Sequence, residues 1–125
     1  ELDICNFEAL QAFIIDYDIN IVINCAAYTA VDKAEEDAEI AEKVNGEGVF
    51  NLVNALESVN GQLIHISTDY VFDGNHFMPY KESDPVSPIG VYGETKRECT
   101  ERSSSADNSF TAKLRYKNCM KEYGF

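Results

Sequence analysis

Two short, apolar, β-branched runs separated by one long helical stretch constrain how this chain folds more than any other feature. The runs are Ile19 to Cys25 (INIVINC) and Leu63 to Ser67 (LIHIS). Neither alternates cleanly with polar residues, the pattern of strands covered by helices on both faces of a parallel sheet. Between them, residues 37–59 read as a helix. Asp37 is its candidate cap, Ile40, Val44, Gly48, Leu52 and Leu56 recur every four positions, and Asn60-Gly61 is its stop. Strand, helix, strand at this spacing is a parallel crossover, so the fold class is α/β. Gly48 costs about 1 kcal/mol relative to Ala inside a helix, which predicts a neighbour packed closely against it.

A further helix spans residues 6–17, capped by Asn6, with Phe7, Leu10, Phe13, Ile14 and Tyr17 on one face. Residues 68–90 form a long loop that holds all three prolines (Pro79, Pro85, Pro88) and an Asp73-Gly74 turn. A loop of that length in a compact domain is functional or disordered, and its aromatics (Tyr70, Phe72, Phe77, Tyr80) favour a packed, functional one. A helix starts near Val91. Ser103 to Ser109 reads as a loop, Phe110 to Tyr116 as a strand and Asn118 to Tyr123 as a helical turn. The charge-dense stretch Lys33 to Lys43 reads as a solvated helix face.

Composition removes several function classes. A length of 125 residues suits one domain or part of one. A net charge of -12 argues against a protein that grips nucleic-acid phosphates, which needs Lys and Arg. No apolar run approaches the roughly 20 residues of a membrane-spanning helix. The first residues carry neither the basic start nor the apolar run of a signal peptide, so a cytoplasmic protein is expected. Of the four cysteines (Cys5, Cys25, Cys99, Cys119), none forms a Cys-x-x-Cys pair and none has a histidine at ligand spacing, so no metal site is expected. Two disulfides would suit a secreted chain; reduced thiols, with Cys25 buried at the end of its strand, suit this one better.

In open α/β sheets, ligands bind outside the carboxyl ends of the strands. Asn24 to Tyr28, Ser67 to Tyr70 and the helix start Tyr92 to Lys96 converge there. Tyr92 and Lys96 lie four apart, on one helix face. A cation beside a phenol favours the phenolate, which makes Tyr92 a usable general acid toward an oxyanion. Thr68 supplies a hydroxyl for the same oxygen. Seven Tyr and seven Lys in this length give about 0.4 such pairs by chance, so the pair gains weight only from its place after a parallel crossover. Ala26 and Ala27 are small enough for a flat ring to approach the backbone. His65 reads as a satisfied core histidine, and Asn45 as the source of a structural backbone bond.

Four motifs in order, Asn24–Glu35 (NCAAYTAVDKAE), His65–Gly74 (HISTDYVFDG), Pro79–Pro85 (PY-x-E-x-DP) and Tyr92–Lys96 (YGETK), resemble the dTDP-4-dehydrorhamnose reductase family, part of the extended short-chain dehydrogenases/reductases. The resemblance implies a Rossmann-like, doubly wound parallel sheet and NADPH-dependent reduction, NADH being the alternative to NADPH, of the C4 ketone of a dTDP-4-dehydro-6-deoxy sugar in dTDP-L-rhamnose synthesis. It implies Thr68, Tyr92 and Lys96 as catalytic residues. Ala26, Ala27, Tyr28 and Thr29, with Tyr92 and Lys96, would hold the cofactor; Val31, Thr68, Asp69 and Tyr70 would border the nucleotide-sugar substrate. Members of that family can be homodimers.

The chain departs from the family pattern in two places. The G-x-G-x-x-G turn is missing; Gly46-Glu47-Gly48 falls inside a helix. Residues 1–96 carry the resemblance, whereas 97–125 diverge from it. The expectation is therefore a fragment of an NAD(P)-binding Rossmann domain, without the first Gly-rich βαβ unit and without the C-terminal substrate domain, and with little activity alone. Its first strand would then be an exposed apolar edge. Two other readings share the scaffold: a dinucleotide-binding regulatory subunit like the β subunit of methionine adenosyltransferase, and another nucleotide-sugar epimerase, dehydratase or reductase.

Overall fold

The computed structural model describes residues 2–81 and 83–97. The expected loop, strand and turn between Ser103 and Tyr123 lie outside the described residues, as do Cys99 and Cys119.

Helix α1 spans Phe7–Asp16. Asn6 caps it as its sequence position implies, its Oδ1 accepting from the Ala9 N–H at 3.1 Å. Asp18 then takes a left-handed conformation (φ 51°), and the Ile19 N–H donates back to the Ile14 carbonyl. That turn delivers the chain into strand β1, Ile21–Asn24. Two short helices follow, α2 (Val31–Ala34) and α3 (Ala38–Glu42). A π-helical turn, Lys43–Glu47, joins α3 to α4 (Gly48–Glu57). Asn60 is left-handed (φ 54°), and the Gly61 N–H returns to the Leu56 carbonyl at 2.8 Å. Strand β2, Gln62–His65, runs parallel to β1, with Val22 opposite Leu63 and Asn24 opposite His65. A 3₁₀ turn covers Asp69–Val71, and residues 91–97 are helical (α5).

The parallel crossover is as expected, but its coverage is not. The main core lies on one face of the sheet, where Leu10 and Ile14 of α1 meet Val49, Leu52, Val53 and Leu56 of α4 over Leu63. The other face of β1 is open: Ile21 and Ile23 are 59 % and 62 % exposed. Burial alternates along a strand that reads as uniformly apolar, because successive side chains point to opposite faces. The open residues join Leu2 and Phe13 along an apolar groove of about 390 Å³ beside α1. Cys25 is exposed rather than buried, since it follows the last residue of β1 at this open end; it and Cys5 are free thiols.

The long helix also differs in detail. Ile40 is exposed, while Ala41, Asn45, Val49, Leu52 and Leu56 face inward. A strict step of four overshoots the α-helical repeat by about 40° each time, so the recurring positions precess around the helix. Gly48 meets the neighbour its cost implied: a Cβ there would lie 2.8 Å from Ile4 Cδ1. Asp37 occupies the N-cap position of α3 but makes no capping bond. Its carboxylate accepts from the Tyr28 hydroxyl instead. In the loop, Phe72 stacks on Tyr80 with centroids 4.3 Å apart, and Tyr80 donates to Asp73 Oδ1. Phe77 and Tyr70 remain exposed, so the loop packs around only part of its aromatic set. Among the described residues no helix is long and apolar enough to cross a membrane.

Candidate active site

The carboxyl ends of β1 and β2 face the start of α5, and three sets of contacts hold them together. After β1, the Asn24 oxygen accepts from the Ala26 N–H at 3.0 Å and bends the chain. The next residues are tied down by Asn45 on the π-helical turn. Its Oδ1 accepts from the Tyr28 N–H at 2.9 Å, and its Nδ2 donates to the Tyr28 carbonyl and to Thr95 Oγ1. Asn45 is fully buried, so each of these bonds replaces one that water would otherwise make.

After β2, Thr68 begins the 3₁₀ turn. Its Oγ1 accepts from the Tyr70 N–H and donates to Asp69 Oδ1 at 3.2 Å. The Tyr70 ring stands edge-on to Tyr92, with centroids 5.6 Å apart and planes at 73°. Helix α5 approaches this turn closely because residue 93 is glycine; a Cβ there would overlap the Tyr70 carbonyl. Glu35 receives the N–H of Val91 at 2.9 Å and so caps the start of α5. Glu35 was expected on a solvated face, and nothing in its local sequence pointed to α5.

Along α5, Tyr92, Gly93, Thr95 and Lys96 are buried and Glu94 is exposed, so Tyr92 and Lys96 project from the inward side together. Tyr92 packs with Ala34 and Ala41, and against Tyr28, Val31 and Val91. Lys96, 2 % exposed, donates to the Ile66 carbonyl at 2.9 Å, and its Nζ lies 3.2 Å from His65 Nε2. His65 is a buried histidine with both ring nitrogens partnered; its Nδ1 lies 3.1 Å from Asn24 Nδ2. Burial, and next the Lys96 charge, lower the His65 pKa to about 4, so the ring is neutral near pH 7. Burial and the bond to Asp37 push the Tyr28 phenol above its ordinary range.

The structure thus gathers Tyr28, Val31, Tyr70 and Tyr92 in one cluster and sets Lys96 at the end of β2. Thr68 joins them through Tyr70. Ala26, Thr29 and Asp69 are exposed and Ala27 is half-buried beside this cluster in sequence. The Asp69 carboxylate turns to the Thr68 hydroxyl. Asn24, Gly93 and Thr95 lie in the segments that the sequence brings together, but their contacts, like that of Glu35, are not legible in it, because each acts across a packing contact that only the fold creates. No group of three or more His, Cys, Asp or Glu that could hold a metal occurs among the described residues.

A nicotinamide ring and its ribose suit this arrangement. The segment Cys25-Ala26-Ala27 offers small, accessible side chains, and a buried amino group and phenol stand nearby. Gly46 and Gly48 lie in the π-helical turn and in α4, so they form no turn around a pyrophosphate.

Comparison with known proteins adds to the geometry. The family described as RmlD substrate binding domain matches residues 1–117, running past Lys96. A dTDP-4-dehydrorhamnose reductase of Burkholderia thailandensis is 47% identical over 96 residues, 77% of this chain and 32% of that protein. Among solved structures, a dTDP-4-dehydrorhamnose reductase of Clostridium acetobutylicum superposes with a TM-score of 0.79 at 47% identity, covering 82% of this chain and 37% of that one. One from Bacillus anthracis, in complex with NADP, gives 0.81 at 36% identity over 86% of this chain and 38% of that one. The chain spans about a third of the length of the curated relatives it matches.

Proposed function

This chain belongs to the family of the RmlD substrate binding domain, with a Rossmann-like α/β fold, and from that premise we propose that the whole protein carrying it reduces a nucleotide-sugar ketone with NADPH. The substrate proposed is dTDP-4-dehydro-L-rhamnose, reduced at C4. The observation that carries this reading is the shared inward orientation of Tyr92 and Lys96 on α5, under the turn that Thr68 begins.

When bound, the dinucleotide supplies the hydride. The rest falls to the protein. Ala26, Ala27, Tyr28 and Thr29 would hold the cofactor, and Val31, Asp69 and Tyr70 would border the sugar. Thr68 turns its hydroxyl hydrogen from Asp69 to the ketone oxygen. Tyr92 passes its phenolic proton to the alkoxide, and the Lys96 ammonium stabilises the phenolate left behind. Lys96 would also bind the nicotinamide ribose. The Tyr28 hydroxyl donates to Asp37 instead, so its proton is committed elsewhere.

The test is NADPH oxidation with dTDP-4-dehydro-L-rhamnose by the full-length gene product. Turnover is expected; none with this ketone, in protein that binds NADPH, overturns the reading. The reductases' shared identity over most of this chain favours a reductase over a non-catalytic subunit.

A further inference from the structure

Lys96 and His65 come from different elements, 31 residues apart, and meet at the carboxyl end of β2. The parallel register sets Asn24 directly opposite His65, so the carboxamide and the imidazole share one face of the sheet. The three side chains form a row, Asn24 Nδ2 to His65 Nδ1 at 3.1 Å and His65 Nε2 to Lys96 Nζ at 3.2 Å. They are 4 %, 2 % and 2 % exposed.

A lysine stem has four rotatable bonds, and an amino group that serves a particular phenol has to be held against that freedom. The Ile66 carbonyl supplies one bond. The imidazole supplies a second contact from another direction. It can do so only while neutral, and burial together with the Lys96 charge keeps it neutral well below pH 7. The charge that acts on His65 comes from Lys96 on α5; its neighbour on β1, Asn24, is uncharged.

We propose that His65 is a positioning residue whose Nε2 accepts a hydrogen bond from the Lys96 ammonium and fixes that group on the side of α5 that carries Tyr92. The inference rests on the reductase reading for what Lys96 does, not for how it is held. An ammonium has no lone pair, so Nε2 is the acceptor and the ring hydrogen sits on Nδ1. With the hydrogen there, Nδ1 can take no bond from the Asn24 Nδ2 at 3.1 Å, so the carboxamide has to turn its oxygen to the ring and release the Ala26 N–H. The opposite tautomer, with its hydrogen on Nε2, requires an uncharged Lys96 amine.

Nitrogen-15 NMR of the imidazole in the full-length protein reads this directly. The expected spectrum at neutral pH has an unprotonated, hydrogen-bonded Nε2 and a protonated Nδ1, and Lys96→Met raises the ring's pKa. A protonated Nε2, or a ring that ignores Lys96→Met, overturns the proposal. In turnover assays, His65→Leu lowers kcat about tenfold or more with the sugar KM little changed, and His65→Gln, whose Oε1 can accept the same bond, restores most of it. Unchanged kcat in a folded His65→Leu protein, or a folded Gln variant no better than Leu, also overturns it. If the wild-type protein fails to reduce the ketone, the reductase reading falls, and the NMR result still decides how Lys96 is held.

Discussion

Asn45 grips Tyr28 at both polar groups of its backbone, accepting from the N–H at 2.9 Å and donating to the carbonyl at 3.2 Å. The same carboxamide reaches Thr95 on α5, so one side chain ties the segment after β1 to the helix bearing Tyr92 and Lys96. A π-helical turn carries it, and that turn breaks the register of an otherwise α-helical run.

Asn45→Ala strands the Tyr28 N–H and carbonyl in a part-buried place. The expected loss is about 2–3 kcal/mol of unfolding free energy, since unsatisfied buried polar groups cost about 1–3 kcal/mol each. Asn45→Asp does not rescue it, because an ionised carboxylate has no hydrogen for the Tyr28 carbonyl. Urea unfolding of the two variants checks both statements; a stability equal to wild type in either counts against the clamp.

Tyr92→Phe keeps the ring that packs with Ala34 and Ala41 and removes only the hydroxyl. In the full-length protein its kcat falls about 10²–10⁴-fold while NADPH affinity stays. Single-turnover kinetics with a parallel fluorescence titration separates the two quantities. An unchanged rate removes Tyr92 from the acid role.

Two glycines, one beside the site and one beside Ile4, answer differently to the same change. At Gly93 the added Cβ overlaps the Tyr70 carbonyl, a backbone atom that cannot swing aside, and lies 2.9 Å from Pro88 Cβ. Gly93→Ala is expected to destabilise by about 1–3 kcal/mol and to push α5 off the Thr68 turn. At Gly48 the obstacle is the end of the Ile4 side chain, which can rotate, and the helix gains about 1 kcal/mol from Ala. Gly48→Ala therefore stays within about 1 kcal/mol of wild type. Thermal unfolding of the pair tests the contrast, and equal shifts would contradict it.

The depressed His65 pKa makes stability depend on pH. Between the unfolded value of 6.5 and the folded value of about 4, the unfolded chain binds a proton that the folded chain does not. Stability contributed by neutral His65 is thus complete above pH 6.5 and is lost as pH falls toward 4, by ~3 kcal/mol at most. His65→Leu should flatten that acid slope in chemical denaturation measured across the window. A slope identical to wild type would mean that His65 does not titrate this way.

A chain without a Gly-rich pyrophosphate turn is expected to bind NADPH poorly by itself. Fluorescence titration of residues 1–125 should give an affinity weaker than micromolar. A micromolar constant would show that other residues cradle the phosphates.

The one-dimensional pattern determined a good deal. Short β-branched runs around a long helical stretch can satisfy their backbone bonds and bury their side chains as a parallel crossover, and β1, α4 and β2 form one. The Asn6 cap, the halt near Asn60 and the helix at Val91 are likewise local, because capping and left-handed turns act within a few residues. Spacing alone put Tyr92 and Lys96 on one face of a helix.

Tertiary structure decided what lies between elements. Which face of β1 is covered depends on where α1 and α4 settle, and so Ile21, Ile23 and Cys25 came out exposed. Asn24 meets His65 only through strand register, and His65 meets Lys96 only through the docking of α5. Glu35 caps a helix 56 residues away. Such contacts join residues distant along the chain at distances of about 3 Å. Composition and periodicity report which way a side chain faces, and only the packed fold reports what it faces.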